Sequence, residues 1–178
     1  MVPATRPKQT REQTETIFAQ NLVTANECVI LAVRGYYLDS MGKRGRNDQA
    51  MYDDALFVLS PTAYKAFNAN TDPQKSGANH AMLKAPQKIQ YYKGKHKGKY
   101  DALRPYPEAI RLPCTRDGVE SMCSHTNIHK GGYRDTHSEG CITVWPAQFS
   151  EFIKLVYSEM SKYNQKTITV LLIENTGA

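Results

Sequence analysis

Cys28-Val29-Ile30-Leu31-Ala32-Val33, six residues long, is the longest apolar run in the chain. It is rich in β-branched residues, and with the tyrosines before Leu38 it reads as a strand. A helix crossing a bilayer needs about twenty apolar residues, so this run spans no membrane. On its N-terminal side, residues 1–26 are polar and helix-friendly, with Ile17, Phe18, Asn21 and Leu22 at weak helical spacing. On its C-terminal side comes a basic, hairpin-like segment from Asp39 to Asp48, then a second strand from Ala55 to Leu59 that stops at Pro61. Asn68-Ala69-Asn70-Thr71-Asp72-Pro73 is dense turn chemistry.

Further on, Ile89–Tyr92 and Glu108–Arg111 read as short strands. The basic run Lys93-Gly94-Lys95-His96-Lys97-Gly98-Lys99-Tyr100 between them reads as a solvated loop tip, or as a loop facing an anionic polymer. Pro146 opens a helix whose Phe149, Phe152, Ile153, Val156, Tyr157 and Met160 form one apolar face. Thr167 to Ile173 is a closing strand. The expected architecture is mostly β, an α+β domain over residues 27–178 with one or two packed helices. Residues 1–26 form a helical segment packed on it or flanking it.

A chain of 178 residues suits one domain. Forty per cent apolar and 22% charged residues exclude wholesale disorder and a collagen-like fibre. No apolar stretch follows the charged start Met1–Lys8, so no secretory signal is expected and synthesis is placed in the cytoplasm. Lys and Arg outnumber Asp and Glu by 23 to 17, a net +6, which favours a polyanionic partner. No zinc-finger, helix-turn-helix or RNA-binding signature is present, so nucleic acid is not the expected one. Without an export signal, Cys28, Cys114, Cys123 and Cys141 are expected as reduced thiols.

Chemistry concentrates between Cys123 and Cys141, which hold three of the five histidines. Asn127-Ile128-His129 looks like a strand end and Cys141-Ile142-Thr143-Val144 a strand start, joined by a glycine-rich loop that can bring His129 beside Cys141. An imidazole there takes the thiol proton and stabilises the attacking thiolate. Gly140 permits a tight turn and leaves room for substrate, and neighbouring main-chain N–H groups are candidates for an oxyanion site. Zinc is the competing chemistry: Cys114, Cys123, His125, His129, His137 and Cys141 supply ligand types. No C-x-x-C or H-E-x-x-H spacing accompanies them, and no metal or other cofactor is expected. Cys114 and Cys123 also form a possible disulfide pair.

Ile128-His129-Lys130-Gly131-Gly132 followed by Ser138-Glu139-Gly140-Cys141-Ile142 resembles the signature of the L,D-transpeptidase catalytic domain. The resemblance is close over about residues 127–144 and only in outline elsewhere. It implies a β-sandwich or barrel-like domain, peptidoglycan stem peptide as substrate, Cys141 as nucleophile, His129 as base, and Ser138 shaping the active-site loop. Where that family has His before Gly-Cys, this chain has Glu139, and Thr143 stands where Arg or Asn is usual. The Ser-Glu-Gly-Cys variant is similar to lytic phage relatives and to interbacterial toxins on the same fold.

The expected function is therefore a peptidoglycan hydrolase, a monomeric endolysin of phage type. A holin-like partner that permeabilises the membrane would release it to act in the periplasm and cell wall. Arg134 and Tyr133 in the catalytic loop, with His137, Ser138 and Gly140, are candidate substrate contacts. Arg134 suits a substrate carboxylate. Asp53 and Asp54 read as turn acids, with Asp54 orienting a substrate amine or an imidazole as the functional version. One rival is a glycosidase with Glu139 as general acid; another is a non-catalytic phage structural or wall-binding module.

Overall fold

A computed structural model describes residues 1–73, 80–136 and 138–175. The apolar run found first becomes β1 (Val29–Arg34), buried at every position. The reason is that both its faces are covered, which removes the polar alternation of a half-exposed strand. Ile30 and Ala32 enter one apolar cluster, while Val29, Leu31 and Val33 enter another.

Eight strands close into a barrel in the order β1–β11–β5–β6–β9–β10–β3–β2. Beyond β1 these are β2 (Asp54–Ser60), β3 (Ala63–Asn70), β5 (Gln87–His96), β6 (Tyr100–Pro105), β9 (Ile128–Lys130), β10 (Ile142–Val144) and β11 (Ile168–Glu174). A separate three-stranded sheet is built from β4 (Ala81–Leu83), β7 (Leu112–Arg116) and β8 (Val119–Cys123). The mostly-β α+β expectation is met. The helix α2 (Pro146–Lys162) buries Phe149, Phe152, Ile153, Val156 and Met160 in the first cluster. The shorter α1 (Arg11–Gln20) is held by a Thr10–Gln13 capping box and sends Phe18 into the second. Arg6, before that helix, pairs with Glu151 of α2. Among the described residues, no helix is long and apolar enough to cross a membrane.

Three local readings are corrected. Asn68–Asn70 end β3 instead of forming a turn, because their amides serve as buried bonding groups: Asn70 Nδ2 donates to Met51 O at 2.6 Å, and Gln148 Nε2 donates to Asn68 Oδ1 at 2.7 Å. Glu108–Arg111 is not a strand: Pro105 and Pro107 cannot donate to a ladder, and Ile110 N closes a turn on Pro107 O at 2.9 Å. The basic run is mostly strand, with β5 reaching His96, β6 starting at Tyr100, and only Lys97–Lys99 left as hairpin tip.

Asp54 is fully buried at the start of β2. Its carboxylate accepts from Gly35 N and Thr71 N, both at 2.5 Å, and from Thr71 Oγ1 at 2.8 Å. Arg34, also buried, donates to Thr71 Oγ1 and to Leu83 O, tying β1 to β4 and to the residue that follows β3. Asp54 is thus a structural clasp and does not orient substrate. Asp53 beside it is pushed up from the ordinary carboxylate range, first by burial and then by the charge of Asp54. A carboxyl raised by folding stabilises the fold fully below its unfolded value near pH 4, and that contribution is lost as pH rises toward neutrality. Burial raises Asp54 and Asp72 as well, so thermal melts should show stability falling between about pH 4 and 7, with Asp53→Asn reducing that slope without abolishing it; an unchanged slope would reject the Asp53 share.

Candidate active site

His129 and Cys141 are brought together by a parallel strand pair. β9 and β10 run side by side with Ile128 opposite Ile142 and His129 opposite Thr143. Ile128, Ile142 and Val144 face the core cluster. Alternation along a strand then sends His129, Thr143 and Cys141 to the opposite face. There His129 and Cys141 line one cleft of about 760 Å³, walled by the β5–β6 hairpin tip, the segment 123–127 and the end of β7.

The imidazole is set in one tautomer. His129 Nδ1 lies 2.8 Å from Lys130 O, which can only accept, so the ring proton sits on Nδ1 and the lone pair on Nε2. Tyr100 OH lies 3.3 Å from the same nitrogen. The half-buried Cys141 thiol donates to His125 O at 3.6 Å. Burial pushes that thiol up, and donors from the Asn127 backbone and the Ser138 hydroxyl partly offset the rise. The resting sulfur is therefore a thiol, and a base must take its proton.

Ser138 organises the turn before Cys141. Its Oγ accepts from Cys141 N at 2.7 Å and Gly140 N at 3.3 Å and donates to Cys141 O at 3.0 Å. The expected oxyanion role of these two amides is corrected: Ser138 already holds them. Glu139 O accepts from Ala81 N at 3.0 Å, so the same turn docks on β4. Gly131 is required for a different reason. A Cβ there would stand 2.0 Å from the Tyr52 hydroxyl, which donates to Gly132 O at 2.7 Å.

The cleft is cationic. Lys95, Lys97, Arg104 and Arg116 line it, against the acids Asp135 and Glu139. Lys95 pairs with Asp101 and Arg104 with Glu108, acids that lie outside the cleft lining. Thr126 Oγ1 and Asn127 Oδ1 are buried behind the cleft wall with no hydrogen-bond partner among the described residues. Glu139 is exposed at the rim.

Of the candidates named from sequence, Cys141, His129, Glu139, Ser138 and Gly140 line the cleft. Tyr133 and Arg134 are exposed and do not; the Tyr133 ring instead meets Trp145 edge-on at 5.1 Å. His137 lies outside the described residues. The expectation of reduced thiols fails at Cys114 and Cys123, which form a disulfide between β7 and β8. The antiparallel pairing sets their Cα atoms 5.9 Å apart, within bonding reach. That bond removes two sulfurs from the zinc set. Sequence reasoning missed His96, Asn127 and Arg116; the basic glycine-bearing run around His96 was the one available signal.

No family model, curated protein sequence or solved structure matches this chain. What the cleft can do is therefore read from its own atoms: a thiol and an imidazole in one cleft, with surrounding positive charge.

Two outcomes follow from the geometry. Iodoacetamide labelling of Cys141 should keep accelerating beyond the ordinary thiol range near pH 8.5, and Ser138→Ala should carry the inflection higher. Buried Cys28, its thiol pushed up to about 12 by burial and nearby Glu159, should stay unlabelled as an internal control. Gly131→Ala should displace Tyr52 and cost about 1–3 kcal/mol in denaturant unfolding, as overpacking does; full stability would reject that close approach.

Proposed function

We propose that this chain is a cysteine-dependent peptidoglycan hydrolase that cuts the stem peptide, an endolysin of phage type released by a holin-like partner. The observation that carries the reading is the parallel β9–β10 pair, which puts His129 and Cys141 on one face of one cleft. The residues around them resemble the L,D-transpeptidase signature, which adds the wall substrate.

In this reading His129 Nε2 takes the proton from Cys141 Sγ and the thiolate attacks a stem-peptide carbonyl. The imidazolium then protonates the departing amine, leaving a thioester on Cys141. Water, deprotonated by His129, attacks the thioester, which releases a carboxylate and returns the thiol. Negative charge on the carbonyl oxygen is met by the cationic cleft, since the Gly140 and Cys141 amides are engaged. A cleft lined by Lys95, Lys97, Arg104 and Arg116 suits an acidic wall polymer. The Cys114–Cys123 disulfide agrees with action outside the reducing cytoplasm.

The glycosidase reading keeps one supporting observation, since Asp135 and Glu139 both line the cleft. A glycosidase acid, however, occupies an apolar enclosure, and Glu139 is exposed.

Mass spectrometry of soluble products from purified sacculi decides between them. Cleaved stem peptides on intact sugars are expected, lost roughly a thousandfold or more in Cys141→Ala and kept within about tenfold in Glu139→Gln. Disaccharide-peptide fragments that vanish with Glu139→Gln would transfer the chemistry to the glycan strand. Binding to sacculi with no release of products by the wild-type chain would leave a wall-binding module.

A further inference from the structure

A second imidazole stands against the first. His96 ends β5, and its ring stacks on that of His129 with centroids 3.9 Å apart and planes 21° from parallel. Asn127 Nδ2 donates to His96 Nδ1 across 3.1 Å, which leaves the His96 ring proton on Nε2. The Tyr100 ring adjoins it at 5.5 Å. Asn127 also accepts from Ile142 N through its backbone at 3.0 Å, so the residue that orients His96 is fastened to the strand that follows Cys141.

We propose that His96 is a positioning residue for the general base, a neutral aromatic plate whose face supports His129 as that ring takes up and carries the thiol proton. The inference rests on the Cys141–His129 reading and deepens it. A cation is drawn to the face of a neutral aromatic ring, and a planar cation gains by stacking. Two charged imidazoles in the same stack would repel, so His96 must stay neutral while His129 charges.

The surroundings favour that order. Lys95 and Lys97 flank His96 on its own hairpin, Tyr100 and Arg104 face it from β6, and His129 and Cys141 adjoin from the β9–β10 side. Asp101, the nearby acid on β6, is engaged by Lys95. Burial, followed by the charges of Lys97 and Arg104, holds His96 below the ordinary imidazole range. His129 instead has the Lys130 carbonyl 2.8 Å from its Nδ1.

The test is the rate at which iodoacetamide labels Cys141 in the full chain at pH 7, read by intact mass. It needs no wall substrate, so it succeeds or fails independently of the peptidoglycan assignment. His96→Phe keeps a neutral aromatic face and should label within about threefold of wild type. His96→Leu keeps apolar volume without that face and should label about tenfold more slowly at an unchanged melting temperature. Wild-type rates in the Leu variant, or a Phe variant as slow as Leu, would overturn the proposal. Nitrogen-15 spectra of the wild-type histidines supply the answer even where a variant does not fold. His96 should take its proton below the ordinary imidazole range, with its neutral-ring proton on Nε2; a His96 that charges within or above that range would overturn the proposal. Normal labelling in a chain that releases nothing from sacculi would end the hydrolase reading and leave the role of His96 intact.

Discussion

Parallel pairing of two three-residue strands governs this site. Antiparallel neighbours can be joined by a tight turn, but parallel ones require the chain to cross back before it pairs. Here residues 131–141 make that crossing. At one end, the absent side chain of Gly131 lets Tyr52 reach Gly132 O. At the other, Ser138 ties up the amides that lead into Cys141. The strand pair defines the face that carries the imidazole, and the crossing delivers the Cys141 thiol to the same cleft.

Electrostatics divides the molecule into two regimes. Away from the cleft, the buried Arg34 and Asp54 are surrounded by backbone and hydroxyl partners and act as clasps, and the buried carboxyls couple stability to pH. At the cleft, positive charge gathers on the β5–β6 hairpin and the end of β7. The acid of the first regime cannot serve the second: Asp54 is enclosed with every contact made inside the fold.

Legibility from sequence followed the range of the interactions involved. The strand at Val29–Arg34, the apolar face of α2 and the closing strand β11 are written in neighbouring residues, because periodicity and β-branching act locally. The histidine and cysteine cluster was visible for the same reason. Asn68–Asn70 misled because asparagine is a turn residue when its side chain bonds its own backbone. In the fold, those side chains bond Met51 and Gln148 instead. Glu108–Arg111 misled through composition, since the prolines on either side of Tyr106 withhold the donors a ladder needs.

By itself the sequence determined a mostly-β chain with one strongly amphipathic helix and a thiol preceded by a histidine-bearing strand. These are consequences of side-chain chemistry at short spacing. Only tertiary structure decided that Cys114 joins Cys123, that Ser138 takes the amides of Gly140 and Cys141, and that Tyr133 and Arg134 turn away from the cleft. It also decided that His96, distant in sequence, stacks on His129. The β5–β6–β9 order of the barrel makes that contact, and strand order is set by burying the whole core at once, which no local stretch of sequence encodes.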